Sequence, residues 1–142
     1  MIKIYTDGAC QGNPGPGGWG AVILIEESIK EISGGESDTT NNRMELMAAI
    51  KALAATDKEH SITLVTDSEY LRKGITQWVF NWQKNGWRTS AKQPVKNKDL
   101  WQLLLETTND RDVKWQWTKA HAGDKYNERA DYLARQAAES VE

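Results

Sequence analysis

Residues 1–10 read MIKIYTDGAC and residues 11–20 read QGNPGPGGWG, and this stretch decides the fold because it joins a strand to a glycine-rich segment. Ile2, Ile4 and Tyr5 have strand character, whereas the glycine and proline residues after them favour a tight loop. Asp7 is unusual, since aspartate is depleted in strands and a buried carboxylate needs a cation or hydrogen-bond donors around it. Asp7 therefore either belongs to a metal site or ends the strand by accepting from backbone N–H groups of the turn.

The length of 142 residues is typical of one domain, and we expect residues 1–142 to form a single domain. Cys10 is the only cysteine, so no internal disulfide can form. The sequence shows neither a signal-peptide pattern nor a long apolar run. We therefore expect a cytoplasmic protein that does not associate with a membrane.

Charge is distributed unevenly along the chain, although the net charge is only −2. Residues 70–98 carry cations but no acid, and Trp78, Trp82 and Trp87 lie among these cations. Interleaved cations and aromatic rings are typical of a surface that contacts nucleic acid. The alternative is an amphipathic helix whose tryptophans face the core and whose lysines are solvated. We expect a basic protrusion at about 76–98 that contacts a nucleic acid; its cations and those just before it are Arg72, Lys73, Lys84, Arg88, Lys92, Lys96 and Lys98.

Hydrophobic periodicity predicts the remaining elements. Two apolar strands at 21–25 and 29–32 form an antiparallel meander with the first strand. The helix predicted between this meander and the strand at 61–66 favours a crossover connection that places the latter strand parallel to its neighbour. The chain is thus predicted to be an α/β protein with three antiparallel strands continued by two parallel strands and flanked by helices. The later segments are a helix at about 42–55, a strand at 61–66, a helical region from 71 to 85 interrupted at Gly74, a helix from 99 to about 109, a strand at 113–117 and a helix at 127–140.

Three further acids lie at informative positions, and each has a structural alternative. Glu45 follows Asn42 by three residues, so its side chain could complete a capping box. Asp67 follows a predicted strand, where ligands gather in open α/β sheets, but it could instead cap the next helix, a role that Ser68 could equally perform. Asp131 flanks the apolar stripe of the last helix and would alone be read as a surface residue.

Several long motifs in a fixed order make the chain recognisable. It closely resembles bacterial ribonuclease HI, the type 1 ribonuclease H family, over essentially its whole length. The motifs that carry this resemblance are YTDGAC (5–10), GNPGPGGWG (12–20), TTNNRME (39–45), TDS (66–68), the segment 117–123 and NERAD (127–131).

The resemblance implies a ribonuclease H-like fold in which Asp7, Glu45, Asp67 and Asp131 converge on a site for two Mg²⁺ ions, with Mn²⁺ as an alternative. By analogy Asp7 would bridge both ions, Glu45 and Asp67 would serve the ion that activates water, and Asp131 would serve the ion at the leaving group. The implied activity is hydrolysis of the RNA strand of RNA–DNA hybrids, leaving 5′-phosphate and 3′-hydroxyl ends. We expect a monomer without an obligatory protein partner.

The resemblance also implies a role for His121 in proton transfer or product release, the alternative being an exposed loop histidine. Neutral polar residues of the family's substrate surface suit 2′-hydroxyls and sugars, so recognition should depend on shape. Glu69 stands where glutamine is common, and its carboxylate could weaken binding of a phosphate-bearing substrate or add another acid to the cluster. Gln83 and Asn85 flank Lys84 where cations are typical in the family, so affinity for the hybrid is expected to be modest. The expected substrate contacts are Cys10, Asn13, Thr40, Asn41, Asn42, Glu69, Trp78, Trp82, Lys84, Lys92 and Lys96.

Two other functions are compatible with this fold. A hybrid-binding module without catalysis would not require four acids facing phosphates. A nuclease or strand-transfer enzyme acting on DNA would share the acids but differ in substrate.

Overall fold

The computed structural model describes residues 1–119 and 124–141. It contains a five-stranded sheet with helices on both faces. The strands are β1 (Ile2–Cys10), β2 (Gly15–Ile25), β3 (Ser28–Thr39), β4 (Ile62–Thr66) and β5 (Val113–Trp117). The helices are α1 (Asn41–Ala54), α2 (Glu69–Lys73), a π-helical turn (Gly74–Trp78), α3 (Val79–Asn85), α4 (Lys98–Thr108) and α5 (Lys125–Glu139).

The strands lie in the order β3-β2-β1-β4-β5, so β1 is central. β1 pairs antiparallel with β2, and β2 pairs antiparallel with β3. On its other side β1 pairs parallel with β4, which pairs parallel with β5. The predicted mixed sheet, three antiparallel strands continued by two parallel strands, is confirmed.

The two faces of the sheet are covered differently. One face carries the main core, where Ile4 of β1 and Leu64 of β4 pack with Leu46 of α1 and Trp101 of α4. The opposite face carries a smaller core of Tyr5, Val22 and Val65 against Ala130 of α5. Since α1 and α5 lie on opposite faces of the sheet, side chains from both helices can approach the C-terminal half of the central strand β1. None of the helices within residues 1–119 and 124–141 is long and apolar enough to cross a membrane.

The glycine-rich segment was predicted as a loop over 11–20, and this was wrong for its second half. β2 begins at Gly15, and Gly18 and Gly20 lie opposite Ala9 and Asp7 in the sheet. Their lack of a side chain admits α5: a Cβ atom added at Gly18 would lie 2.4 Å from the carbonyl oxygen of Ala134. These glycines therefore allow close helix packing instead of forming a turn.

The third strand is also longer than predicted, since β3 continues through Gly34 and Gly35 to Thr39. Gly34 lies against the indole of Trp19, where an added Cβ atom would come within 2.8 Å of the ring. The strand does not end near residue 32, as its apolar pattern predicted, because Gly34 accommodates the Trp19 ring and Gly35 accommodates the backbone of α5 within a regular strand. The predicted irregularity at Gly74 is confirmed as a π-helical turn, and a Cβ atom there would lie 1.9 Å from the ring of Trp101.

Candidate active site

Asp7 and Asp67 are brought side by side by the parallel pairing of β1 and β4. The last paired residues are Thr6 and Thr66, so each aspartate follows its strand's final parallel pair directly. β1 continues to Cys10, so Asp7 does not end the strand, although its Oδ1 accepts a hydrogen bond of 2.9 Å from the Gly8 N–H. Asp67 does not cap the next helix either, because Ser68 is the N-cap and accepts from the Leu71 N–H.

Glu45 reaches the same place from α1. A Cβ atom at Gly8 would lie 2.5 Å from the backbone nitrogen of Glu45, so only glycine at this position lets α1 approach β1 so closely. The capping-box alternative for Glu45 is wrong, since the N-cap of α1 is Thr40, whose Oγ1 accepts from the Arg43 N–H. Glu45 is only 4% exposed, and its Oε1 has no hydrogen-bond partner within the described residues.

Asp7, Glu45 and Asp67 thus form a compact carboxylate cluster. Each offers a carboxylate oxygen, and these atoms lie within 4.8 Å of one another. Asp7 is 6% exposed, so two of the three groups are buried. Like charges this close repel one another unless a proton or a cation neutralises them.

Burial and nearby negative charges raise the pKa values of all three carboxyl groups. Desolvation, followed by the charge of Asp67, raises the pKa of Asp7 to about 8. Desolvation and the neighbouring Asp7 raise the pKa of Glu45 well above its ordinary value. Desolvation and the charge of Asp131 raise the pKa of Asp67. Without a cation the cluster therefore holds a proton at Asp7 near neutral pH, and a bound cation would displace it.

Asp131 approaches the cluster from α5 but lies outside the compact group of three among the described residues. Its Oδ2 accepts a hydrogen bond of 3.0 Å from Nε of Arg135, one helical turn away. Its charge nevertheless contributes to the raised pKa values of Asp7 and Asp67. Asn127, one turn before Asp131, is buried and its Oδ1 has no partner within the described part of the chain.

The polar candidates around the turn after β1 come together at the N-terminus of α1. Oδ1 of Asn13 accepts a hydrogen bond of 3.2 Å from the Asn41 N–H, and both residues are exposed. Asn42 is also exposed, whereas Cys10 is half-buried with its Sγ 3.3 Å from the Thr39 carbonyl. A cavity of about 400 Å³ beside the cluster is lined by residues including Gly8, Cys10, Gln11, Asn41, Asp131 and Arg135.

The protruding segment combines packing with exposed charge. Trp82 is half-buried, and its ring centroid lies 5.6 Å from that of Trp101 and 5.9 Å from those of Trp78 and Trp87. The tryptophans therefore stabilise the base of the protrusion, as the structural alternative proposed. Lys84, Lys92, Lys96 and the α2 residue Glu69 are exposed. A cavity of about 320 Å³ is lined by Tyr70, Trp78, Trp82, Thr89, Gln93, Pro94, Val95 and Lys96.

His121, a predicted catalytic residue, lies outside the described residues, so its role stays a prediction. Other residues near the site were not singled out from the sequence. Arg43 belongs to the quoted TTNNRME motif, but no periodic pattern reveals its partner Asp99, more than fifty positions away in the sequence. Arg135 could have been noticed from its spacing of four residues after Asp131, which on a helix places the two side chains together.

Comparison with known proteins identifies the family. The family model described as RNase H matches residues 1–139. A ribonuclease HI of Pseudomonas aeruginosa PAO1 is 60% identical over 134 residues, which are 94% of this chain and 90% of the relative. The crystal structure of LC9-RNase H1, a type 1 RNase H with the type 2 active-site motif, matches with a TM-score of 0.87 and 34% identity, covering 97% of this chain and 72% of that one.

A second solved structure, LC11-RNase H1 in complex with an RNA/DNA hybrid, matches with a TM-score of 0.75 and 26% identity, covering 98% of this chain and 97% of that one. The similarity to these proteins extends over nearly the whole chain and includes the sheet that carries the acids. The chain therefore belongs to the RNase H family, within its bacterial ribonuclease HI proteins.

Proposed function

We propose that this protein is an endonuclease that hydrolyses the RNA strand of RNA–DNA hybrids with the help of two divalent cations, Mg²⁺ or alternatively Mn²⁺. Residues 1–142 act as one catalytic domain with a basic protrusion at 76–98. We also propose that the protein works as a monomer in the cytoplasm without an obligatory protein partner; its single cysteine, which allows no internal disulfide, supports that location. Products carry 5′-phosphate and 3′-hydroxyl ends.

The observation that carries the proposal is the buried cluster of Asp7, Glu45 and Asp67, with its unpartnered Glu45 oxygen. Three carboxylates, one of which has a buried oxygen without a hydrogen-bond donor in the described residues, fit a hard divalent cation, which prefers oxygen ligands. These residues would hold the ions, with Asp131 as the fourth ligand. Bound divalent cations supply the positive charge that activates a water molecule and stabilises the departing oxygen of an in-line displacement.

The chain's own residues provide the framework for this chemistry. Gly8 allows α1 to bring Glu45 against β1, and the β1–β4 pairing aligns Asp7 with Asp67. Asn13, Asn41 and Asn42 present neutral donors and acceptors on the exposed surface at the N-terminus of α1. Such groups contact sugars and phosphates without reading bases, which supports recognition of a hybrid by its shape. The hybrid bound to LC11-RNase H1 supports this substrate class.

The acids favour catalysis over binding alone. A module that only binds nucleic acid gains nothing from burying carboxylates next to phosphates, because their repulsion and desolvation both oppose binding. Burial and the charge of Asp67 raise the pKa of Asp7 to about 8, so a charged Asp7 is unfavourable unless a cation neutralises it. A fold that retains this arrangement is consistent with a site completed by cations and substrate.

A cleavage assay on three duplexes tests the proposed function. Hybrid, duplex DNA and duplex RNA of one sequence are incubated with the protein in Mg²⁺ and in chelator. We expect cutting of the hybrid alone, in its RNA strand and only with Mg²⁺. Binding of the hybrid without cutting would support a binding module, and cutting of duplex DNA would support a DNA-processing enzyme; either result contradicts the proposal.

The exposed lysines of the protrusion predict a salt effect. Each phosphate contact adds about −0.9 to the slope of log affinity against log salt for duplex DNA, so alanine at Lys84, Lys92 and Lys96 should flatten the slope for a hybrid by up to about 2.7. Binding is measured by fluorescence anisotropy at several salt concentrations. A matched triple variant replaces Lys30, Lys58 and Lys114, which are exposed on β3, in the loop between α1 and β4, and on β5. Equal slopes in the two triple variants would mean that the protrusion's lysines are only solvated.

His121 offers a second kinetic prediction. If it transfers a proton or assists product release, His121→Ala should lower kcat at least about tenfold with little change in KM. His60, the chain's other histidine, is exposed in the loop before β4 and provides the control variant His60→Ala. A rise in KM with unchanged kcat, or equal behaviour of the two variants, would assign His121 to an exposed loop without a catalytic role.

A further inference from the structure

A continuous hydrogen-bond network joins α1 to the C-terminal end of the protruding segment and to α2, which precedes that segment. Arg43 donates from Nη2 to Oδ2 of Asp99 at 2.8 Å and from Nη1 to Oδ1 of Asp99 at 3.0 Å. The same Nη1 donates to Oδ1 of Asn97 at 3.2 Å. Asn97 donates onward from Nδ2 to the Tyr70 hydroxyl at 3.0 Å, and the Trp101 indole N–H donates to that hydroxyl at 3.1 Å.

The part played by Asn97 shows that the network is not a by-product of helix capping. Asn97 is the N-cap residue of α4 and has a left-handed backbone with φ of 60°, yet its side chain makes no capping hydrogen bond. Asparagine normally stabilises a helix by accepting from the first-turn N–H groups. Here the carboxamide is instead occupied on one side by Arg43 and on the other by Tyr70.

Each of the three joined segments carries predicted residues of the candidate site. Arg43 lies two residues before Glu45 and directly after Asn42 on α1. Tyr70 follows Glu69 at the start of α2, and its ring packs 5.7 Å from that of Trp78. Asn97 directly follows Lys96, one of the exposed cations of the protrusion. The network therefore sets the position of the protrusion relative to the carboxylate cluster.

We propose that Arg43 and Asp99 are positioning residues, which hold the basic protrusion at the distance from the carboxylate cluster that a hybrid requires. This inference rests on the proposed function of the same site. Arg43 acts through Asp99 and Asn97, because its guanidinium is committed to their three side-chain oxygens. The planar guanidinium of arginine suits this task better than the ammonium of lysine, which is a point charge and does not bind both carboxylate oxygens and the amide oxygen in this geometry.

The effect of replacing Asp99 distinguishes a positioning role of Arg43 from a direct contact between Arg43 and a phosphate. Removing an acid beside a polyanion strengthens binding if only charge matters. If Asp99 instead anchors the protrusion through Arg43, its removal weakens binding despite the gain in positive charge. The sign of the change in affinity for Asp99→Asn therefore discriminates between the two roles.

The experiment compares Arg43→Gln, Arg43→Lys and Asp99→Asn in the full chain. Steady-state cleavage of a hybrid in Mg²⁺ gives KM and kcat, fluorescence anisotropy in chelator gives Kd, and thermal melts ensure that all measurements are made well below each Tm. We expect each variant to raise KM and Kd about three- to fivefold with kcat within about twofold of wild type, as loss of an exposed ion pair of up to about 1 kcal/mol implies.

Glu31→Gln is the matched control, because Glu31 forms an equivalent fork with Arg129 at 2.6 and 2.9 Å between β3 and α5. It should leave KM and Kd unchanged. Tighter or unchanged binding by Asp99→Asn, or full recovery in Arg43→Lys, would overturn the positioning role while wild-type cleavage of the hybrid still stands. Failure of the wild-type protein to cut the hybrid would instead contradict the proposed function.

Discussion

Replacing Asp7 by asparagine should reduce cleavage of an RNA–DNA hybrid at least about a hundredfold while leaving hybrid binding within a few-fold of wild type. Asp7 is buried beside Glu45 and Asp67, so its charge is central to holding cations, whereas the exposed groups at the N-terminus of α1 and on the protrusion remain. Loss of a residue that only supports a metal ligand typically costs ten- to about a hundredfold, and loss of a ligand itself should cost more. Rates are measured at saturating hybrid and Mg²⁺.

Asp57→Asn is the control for this experiment. Asp57 lies in the loop between α1 and β4, at the opposite end of β4 from Asp67, and its Oδ1 accepts a hydrogen bond from the Glu59 N–H. Asparagine retains that oxygen, so the control should cleave like wild type. An Asp7→Asn rate within tenfold of the wild-type rate would show that Asp7 is not a ligand essential for catalysis.

The same substitution should raise the melting temperature of the protein in chelator. Asp7 has a folded-state pKa of about 8 against an ordinary value of 3.8, so the folded state binds its proton more tightly than the unfolded state. The stability linked to this proton is fully present below the unfolded pKa and is lost as pH rises through the folded pKa. At pH 8 the asparagine variant no longer buries a charged carboxylate at position 7. A gain of about 1 kcal/mol in the free energy of unfolding would raise Tm by about 4 °C.

Thermal melts of wild type and Asp7→Asn from pH 4 to pH 8.5 test this linkage. The difference in Tm should be small at pH 4 and should grow as pH rises through the window between 3.8 and about 8. Mg²⁺ at a hundredfold excess over its Kd should stabilise wild type by about 2.7 kcal/mol and the variant by less. If Asp7→Asn melts below wild type in chelator at pH 8, structural donors hold the Asp7 carboxylate and the repulsion account is wrong.

The sequence predicted the sheet well because its strands have clear apolar patterns and the connections between them restrict the topology. It predicted the two glycine-rich segments poorly. Gly18, Gly20 and Gly34 occur within strands because α5 or the Trp19 ring packs against them, and local propensity does not include such contacts. The fold therefore depended on tertiary packing where the local sequence favoured a turn.

The acidic residues of the candidate site were likewise only partly predictable from the local sequence. Asp7, Glu45 and Asp67 each had a credible local role in capping or turn formation, and Asp131 resembled a surface residue. The clustering became evident only through the resemblance and then, for Asp7 and Asp67, through the pairing of Thr6 with Thr66. The ion pair of Asp131 with Arg135 follows from helical spacing and was predictable in principle. The network of Arg43, Asn97, Asp99 and Tyr70 was not, because it joins segments that are distant in the chain and follow no common period.

The most direct test of metal-dependent cleavage of the RNA strand follows a single hybrid, labelled separately on its RNA and DNA strands, across a Mg²⁺ titration. We expect cutting of the RNA strand alone, absent in chelator and increasing with Mg²⁺ until the site is saturated, with 5′-phosphate and 3′-hydroxyl ends on the fragments. Asp67→Asn should show no comparable increase, because Asp67 completes the carboxylate cluster with Asp7 and Glu45. Cutting of the DNA strand, RNA cutting that persists in chelator, or an Asp67→Asn titration that matches wild type would contradict the account.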